Sequence, residues 1–212
     1  MYISVSKPSL LQVAVRDQDR NDKNVLLFDL QELFDQSNIH FRECSTSVII
    51  HQFLQLIFNH PHASKLSQSL FNDLAHLKCS YDGHCFHTSK LPHVLELSNL
   101  FRKIFPHEKG QQIYSLQRMT AMTLHRQLNK KQQCANWSKR PLTQLLKDYA
   151  AIDVIVMIDI YDRLKTRIKQ ELLEKENPSS TWFVCLFNRQ ASVLNLFFLG
   201  TIFNNLWKHP LI

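Results

Sequence analysis

Glycine is scarce in this sequence, with only 3 residues among 212, whereas 44% of the residues are hydrophobic and 20% are charged. This composition excludes a collagen-like chain and an intrinsically disordered chain. The length fits one domain, alone or with a tail. Such a domain buries a hydrophobic core without needing disulfides or a structural metal.

Long runs of basic residues are also missing. The formal net charge of +7 and the pI near 9.2 favour an anionic partner, either nucleic acid or an anionic membrane surface. However, Lys and Arg are spread along the chain and never form a run of five or six. Charge alone therefore does not choose between these partners.

Regularly spaced cysteines and targeting signals are absent as well. The 5 cysteines follow no regular spacing, which is typical of reduced thiols in an intracellular protein. No basic segment precedes the first apolar run, so we expect no secretory signal and a cytoplasmic or nuclear location. The apolar tail, residues 174–212, contains no apolar run long enough to span a bilayer. We expect it to be a packed or poorly formed tail, or the translation of a mis-spliced end, and we do not expect a membrane partner.

The order of apolar patterns predicts a mixed α/β domain. SLLQVAV and VLLFDL flank a cluster of turn-forming residues, which predicts a β-hairpin. Helical spacing of apolar residues follows over residues 46–58, and a short strand near Lys65 precedes the helical pattern of SLFNDLAHL. Further helices are predicted in LELSNLFRKIF, in IYSLQRMTAMTLHRQL and over residues 144–176, where the pattern fits one helix or two.

The spacing of Tyr149 and Asp153 indicates a possible functional site. They are four positions apart on a predicted helix, so their side chains lie on one face. An Asp there is able to bind a divalent cation, and a Tyr hydroxyl beside it is able to orient a water molecule. A core tyrosine beside a solvated aspartate is the alternative interpretation.

The sequence around these residues resembles that of a known family. QQCANWSKRPL followed by YAAID is similar to the third motif of DEDD-type 3'-5' exonucleases of the tyrosine subtype, which includes ribonuclease D and the Werner exonuclease domain. KLSQSLFNDLAHL resembles the second motif, and KPSLLQVAV with VLLFDLQEL resembles two strands of the sheet. Within this family, the segment KQQCANWSKRPL is most similar to the Nibbler branch. The resemblance covers roughly residues 7–165. It implies an RNase H-like fold, a mixed sheet flanked by helices, for a partial exonuclease domain over residues 1–173.

The same resemblance implies a chemistry and a partner. In the family, four carboxylates hold two Mg²⁺ or Mn²⁺ ions, which align the attacking water and stabilise the leaving oxygen. Carried over, Asp73 and Asp153 are metal ligands and Tyr149 positions the water, so these three are the predicted catalytic residues. An RNA 3' end is favoured over DNA as substrate, with small-RNA machinery as the associated partner.

One departure from the family decides the functional prediction. The first motif, Asp-x-Glu on the first strand, has no counterpart, because no Asp or Glu precedes Asp17. Two carboxylates alone do not hold two divalent ions against their mutual repulsion. We therefore predict a weak or inactive exonuclease that lacks the first strand and leaves its neighbours unpaired. The alternative is a non-catalytic nucleic-acid-binding or scaffold version of the fold.

Other candidates are weaker. Trp137 and Arg140 are interpreted either as braces of the third motif or as contacts to a terminal base. Glu96 follows a predicted strand and is either part of the site or an ordinary surface acid. One loop also collects possible zinc ligands, but their spacing is too tight and no second ligand pair follows; these residues are Cys79, His84, Cys85 and His87.

Overall fold

A computed structural model of the chain describes residues 8–16, 22–35, 45–61, 63–80, 91–105, 114–174 and 193–200. Five strands lie in these segments: β1 Pro8–Arg16, β2 Lys23–Asp29, β3 Ser64–Ser67, β4 Val94–Glu96 and β5 Val193–Gly200. Six helices accompany them: α1 Leu30–Asp35, α2 Ser45–Asn59, α3 Leu70–Ser80, α4 Leu97–Ile104, α5 Leu116–Leu124 and α6 Gln144–Glu174. No helix in the described segments is long and apolar enough to cross a membrane.

Strands β1 and β2 form the predicted hairpin. They pair antiparallel, from Leu10 opposite Asp29 to Arg16 opposite Lys23. Side chains alternate across the sheet along β1, so Leu10 and Ala14 point to one face while Leu11 and Val13 point to the other. Both sets are buried, and the sheet is therefore covered on both faces.

Strand β5 occupies the centre of the sheet, whose order is β2-β1-β5-β3-β4. It runs antiparallel to β1, with Gln12 opposite Phe197, and parallel to β3, with Lys65 opposite Leu194. The predicted gap is therefore filled. The expectation that the neighbouring strands lack a hydrogen-bonding partner is wrong, because a strand from within the apolar tail pairs with both.

Helices cover the sheet on both faces. Helices α4, α5 and α6 cover one face, where residues such as Phe101, Met119 and Val154 are buried. Helices α1, α2 and α3 cover the other, with Leu30, Leu54 and Leu74 buried. The predicted mixed α/β architecture is confirmed.

Helix α6 is a single helix of 31 residues. Its length is about 45 Å at 1.5 Å per residue. Buried residues recur at three- and four-residue intervals, which places one stripe of the helix against the sheet; they are Ala150, Val154, Met157, Tyr161, Leu164 and Ile168. The first turns of this stripe carry the predicted site.

Candidate active site

Tyr149 and Asp153 lie one turn apart on the buried face of α6, as their spacing predicts. Asp153 is 1% exposed, so it is not the solvated aspartate of the alternative interpretation. Burial raises the pKa of Asp153 above its ordinary value. Burial also raises the pKa of Tyr149, and the Asp153 carboxylate raises it further because ionisation would place two negative charges side by side. The phenol is therefore neutral at physiological pH.

Lys130 is the counter-charge of this buried carboxylate. Its Nζ atom lies 3.0 Å from Oδ1 and 3.2 Å from Oδ2 of Asp153, so one ammonium contacts both carboxylate oxygens. The same Nζ lies 5.5 Å from the ring centre of Tyr149, within the range of a cation–π contact. Its positive charge opposes the effect of burial on the pKa of Asp153. Nothing in the sequence pattern singles out Lys130, because it lies in an irregular segment.

The Tyr149 hydroxyl is buried and makes no hydrogen bond of standard geometry with the described residues. It nevertheless lies close enough to the Asp153 carboxylate for each group to shift the pKa of the other. The Tyr149 ring packs against Trp137, with ring centres 5.9 Å apart. The ring is thus held by packing, and the hydroxyl faces the Asp153 carboxylate.

Trp137 and Arg140 fasten the loop before α6 to the sheet. The Trp137 indole is 4% exposed and donates a hydrogen bond to the Gln132 carbonyl at 3.2 Å. The Arg140 guanidinium forms a two-pronged ion pair with Asp29 at the end of β2, with Nη2 2.6 Å from Oδ1. It also donates to the Ser9 carbonyl at 3.3 Å. These contacts favour the bracing role, and a contact to a terminal base stays a prediction.

Asp73 and Glu96 form a second group of acids. Asp73 lies in the first turn of α3, and its pKa is raised well above the ordinary value by burial and then by the charge of Glu96. Glu96 ends β4, where its Oε1 accepts hydrogen bonds from the Ser69 backbone N–H at 2.7 Å and from the Ser98 hydroxyl at 3.2 Å. Burial raises its pKa, and these hydrogen bonds oppose the rise. Glu96 is therefore not an ordinary surface acid, because it anchors the turn that leads into α3.

The suggested zinc ligands lie largely outside the described residues. His84, Cys85 and His87 are not described, and neither is the side chain of Cys79. The zinc alternative therefore stays untested.

Comparison with known sequences decides the family. Residues 4–169, more than half of the chain, match the profile of a family described as 3'-5' exonuclease. The chain belongs to the 3'-5' exonuclease family. Its likeness to the Drosophila melanogaster protein "Exonuclease mut-7 homolog" is 30% identity over 59% of this chain and 22% of that protein. The Aedes aegypti protein of the same name is 28% identical over 35% of this chain and 11% of its own length. This exonuclease-family chain thus spans a minor part of either relative.

A solved structure supports the fold. The crystal structure of the Aedes aegypti Nibbler EXO domain superposes with a TM-score of 0.56 and 18% sequence identity, covering 87% of this chain and 88% of that one. The chain therefore shares the α/β exonuclease fold of that domain.

The described residues do not fit the two-metal site that the exonuclease family implies. Both oxygens of Asp153 face the ammonium of Lys130, and cation ligands and ammonium donors compete for the same lone pairs. The central strand, VLNLFFLG, contains no Asp or Glu. Within the described segments, no group of three or more His, Cys, Asp or Glu side chains is placed to hold a metal ion.

Proposed function

We propose that this exonuclease-family chain binds RNA 3' ends and hydrolyses them weakly or not at all. The observation that carries the proposal is the pairing of buried Asp153 with Lys130, which places a protein cation at the carboxylate that a metal ion needs. The acid-free sequence of β5 supports it, because the strand at the centre of the sheet contributes no further ligand.

The site residues are assigned within this proposal. Tyr149, Asp153 and Asp73 are the proposed functional residues. Asp73 and Asp153 are the carboxylates that remain to contact a divalent ion, and because Lys130 occupies both oxygens of Asp153, they do not complete a two-metal site. Mg²⁺ or Mn²⁺ would supply charge neutralisation at the phosphate. The phenol of Tyr149 stays neutral, so it is suited to donate a hydrogen bond to a phosphate oxygen or a water molecule.

RNA is the proposed ligand class, with 3' ends favoured over DNA and with small-RNA machinery as protein partner. The support is the similarity to the Nibbler EXO domain and to the two mut-7 homologs, which are named as exonucleases. The net charge of +7 agrees with an anionic ligand. A cytoplasmic or nuclear location accompanies this proposal.

A cleavage assay tests the proposed loss of hydrolysis. The purified chain is incubated with Mn²⁺ and a short single-stranded RNA whose labelled 5' end reveals each 3'-shortened product. We expect little or no ladder of shortened products. A metal-dependent ladder that Asp153→Ala abolishes would show that the site is active, and the proposal of weak hydrolysis would be withdrawn. A ladder that survives this substitution would identify a contaminating nuclease.

The non-catalytic alternative is favoured by the same ion pair. If Lys130 neutralises Asp153 in every molecule, the chain is a binding module with no slow residual turnover. Long incubations at high enzyme concentration separate the two cases, since a weak enzyme accumulates product in proportion to its concentration. Binding of the same RNA, measured by fluorescence anisotropy at low salt, is expected in both.

A further inference from the structure

Three clefts meet at His125, at the junction of α5 and α6 and apart from the residues of the candidate site. Their volumes are about 440, 340 and 570 Å³, and His125 lines all three. The first two also share Thr123, Arg163 and Thr166, so they are continuous along α6. His125 ends α5 in the left-handed region at φ 53°, which is uncommon for a residue other than glycine. The chain therefore departs from α5 at the point where the clefts join.

Four arginines line these clefts: Arg118, Arg126, Arg163 and Arg167. We call these residues with His125 the arginine surface. All five are exposed, so the four guanidinium groups and the imidazole are accessible to a ligand. Clustered guanidinium groups at one surface raise the local concentration of anions and bind phosphate oxygens through paired N–H donors.

The two carboxylates among the lining residues form ion pairs with basic residues of the sheet. Asp162 forms an ion pair with Arg16 of β1, and Asp159 forms one with Lys23 of β2. Because these acids have their own partners, they do not neutralise Arg126 and Arg163, which have no ion-pair partner among the described residues. This separates the surface from an ordinary salt-bridged helix face.

Two of the arginines are held by aromatic rings. The Arg167 guanidinium lies 4.4 Å from the ring centre of Phe105, and the Arg118 guanidinium lies 5.4 Å from that of Tyr114. A guanidinium that stacks by its face keeps its N–H donors at its edge. Stacking also fixes the side chain before a ligand arrives, which lowers the entropy lost on binding.

We propose that the arginine surface binds the phosphate backbone of single-stranded RNA. The inference rests on the proposed function for the identity of the polyanion, and it adds a second, sequence-independent contact region outside the site around Asp153. Clefts that share lining residues place several guanidinium groups along one path, where they are able to contact successive phosphates of a flexible strand. The surface is expected to contribute affinity and salt dependence without base preference.

Salt-dependent binding tests this inference. Fluorescence anisotropy measures the affinity of the full chain for a labelled RNA of about 15 nucleotides between about 50 and 200 mM KCl. The double variant Arg126→Gln, Arg163→Gln removes two of the surface charges. Its matched control, Arg102→Gln with Lys131→Gln, also removes two exposed charges but lies outside the clefts. Circular dichroism checks that both variants remain folded.

The slope of the logarithm of affinity against the logarithm of salt concentration is the deciding quantity. Two lost phosphate contacts reduce its magnitude by about 1.4, at about 0.7 for each contact to a single strand. We expect this reduction for the cleft variant and little change for the control. Equal slopes for the parent and the cleft variant, or equal reductions in both variants, would overturn the arginine surface while leaving the proposed function intact. A parent chain that fails to bind RNA at low salt would overturn both.

Discussion

Replacing Lys130 by methionine tests whether this lysine is the essential counter-charge of Asp153. The substitution keeps most of the length of the side chain but removes the ammonium that contacts both carboxylate oxygens, at 3.0 and 3.2 Å. Asp153 is 1% exposed, so water cannot replace the lost partner without local opening of the structure. The variant leaves a buried carboxylate that must stay charged without a partner or take up a proton.

The expected loss follows from the burial of the two partners. Removing one partner of a buried ion pair costs about 3–5 kcal/mol. The Lys130 side chain is 22% exposed, so the pair is partly screened and the lower end of that range applies, about 3 kcal/mol. Asp153→Asn leaves a lysine that can turn toward solvent, and about 1 kcal/mol is expected. The free energy of unfolding of the double variant, Lys130→Met with Asp153→Asn, is then expected to fall by about 1–2 kcal/mol, because no unpaired charge remains buried.

Urea unfolding followed by circular dichroism measures these differences, with Lys131→Met as the matched control. Lys131 is the exposed neighbour of Lys130, and its replacement should change the free energy of unfolding by no more than about 0.5 kcal/mol. In Lys130→Met, the pKa of Asp153 is raised further than in the parent. The folded state then prefers protonated Asp153, so stability is lost as pH rises through that pKa and regained as pH falls toward the ordinary value of 3.8.

Two results would contradict the reasoning. One is a Lys130→Met variant as stable as Lys131→Met at neutral pH. The other is a double variant that loses the sum of the two single losses, since independent effects would show that the two side chains do not interact.

Three further predictions concern the sheet and the second acidic group. Asn195→Pro should destabilise the chain by about 2–4 kcal/mol in urea unfolding, because proline removes a backbone donor from the central strand; Asn195→Thr, which keeps the donor, should cost far less. Gln12→Met should raise the free energy of unfolding by about 1–2 kcal/mol, since the amide is fully buried and neither polar atom has a partner among the described residues; Gln12→Glu should lower it. Asp73→Asn should stabilise the chain by about 0.5–2 kcal/mol at pH 7, and the gain should vanish near pH 3 as the parent protonates a carboxyl whose pKa is raised by burial and by Glu96. Equal gains at both pH values would exclude the charge of Asp73 as their cause.

Local patterns predict most of the elements. The hairpin follows from two apolar runs around a turn cluster, and α6 follows from apolar spacing sustained over many turns. The faces of Tyr149 and Asp153 follow from the same helical period. In each case the determining interactions join residues that are close in sequence, so the pattern itself carries the information.

The features that the sequence leaves open are set by long-range contacts. A short apolar run such as VLNLFFLG fits a strand, a buried helix or an unstructured tail equally well. Its assignment to β5 requires pairing with β1, which lies more than 170 residues earlier in the chain. The role of Lys130 is equally hard to predict from the sequence. A buried carboxylate needs a counter-charge, but the sequence contains many lysines and its pattern does not select one of them.

Strand β5 and Lys130 each stabilise the fold without supplying the groups that catalysis needs. A sheet requires backbone pairing at its centre, and β5 provides this pairing through main-chain groups whatever side chains it carries. A buried carboxylate requires a positive charge, and Lys130 provides one from within the chain. Hydrolysis of a phosphodiester requires a further property of the cation beside Asp153, which must also bind a phosphate oxygen and a water molecule. The Lys130 ammonium donates to both carboxylate oxygens of Asp153, so it has one N–H left for either contact. Pairing at the centre of the sheet and neutralisation of Asp153 therefore maintain the exonuclease fold without requiring the further contacts that phosphodiester hydrolysis needs.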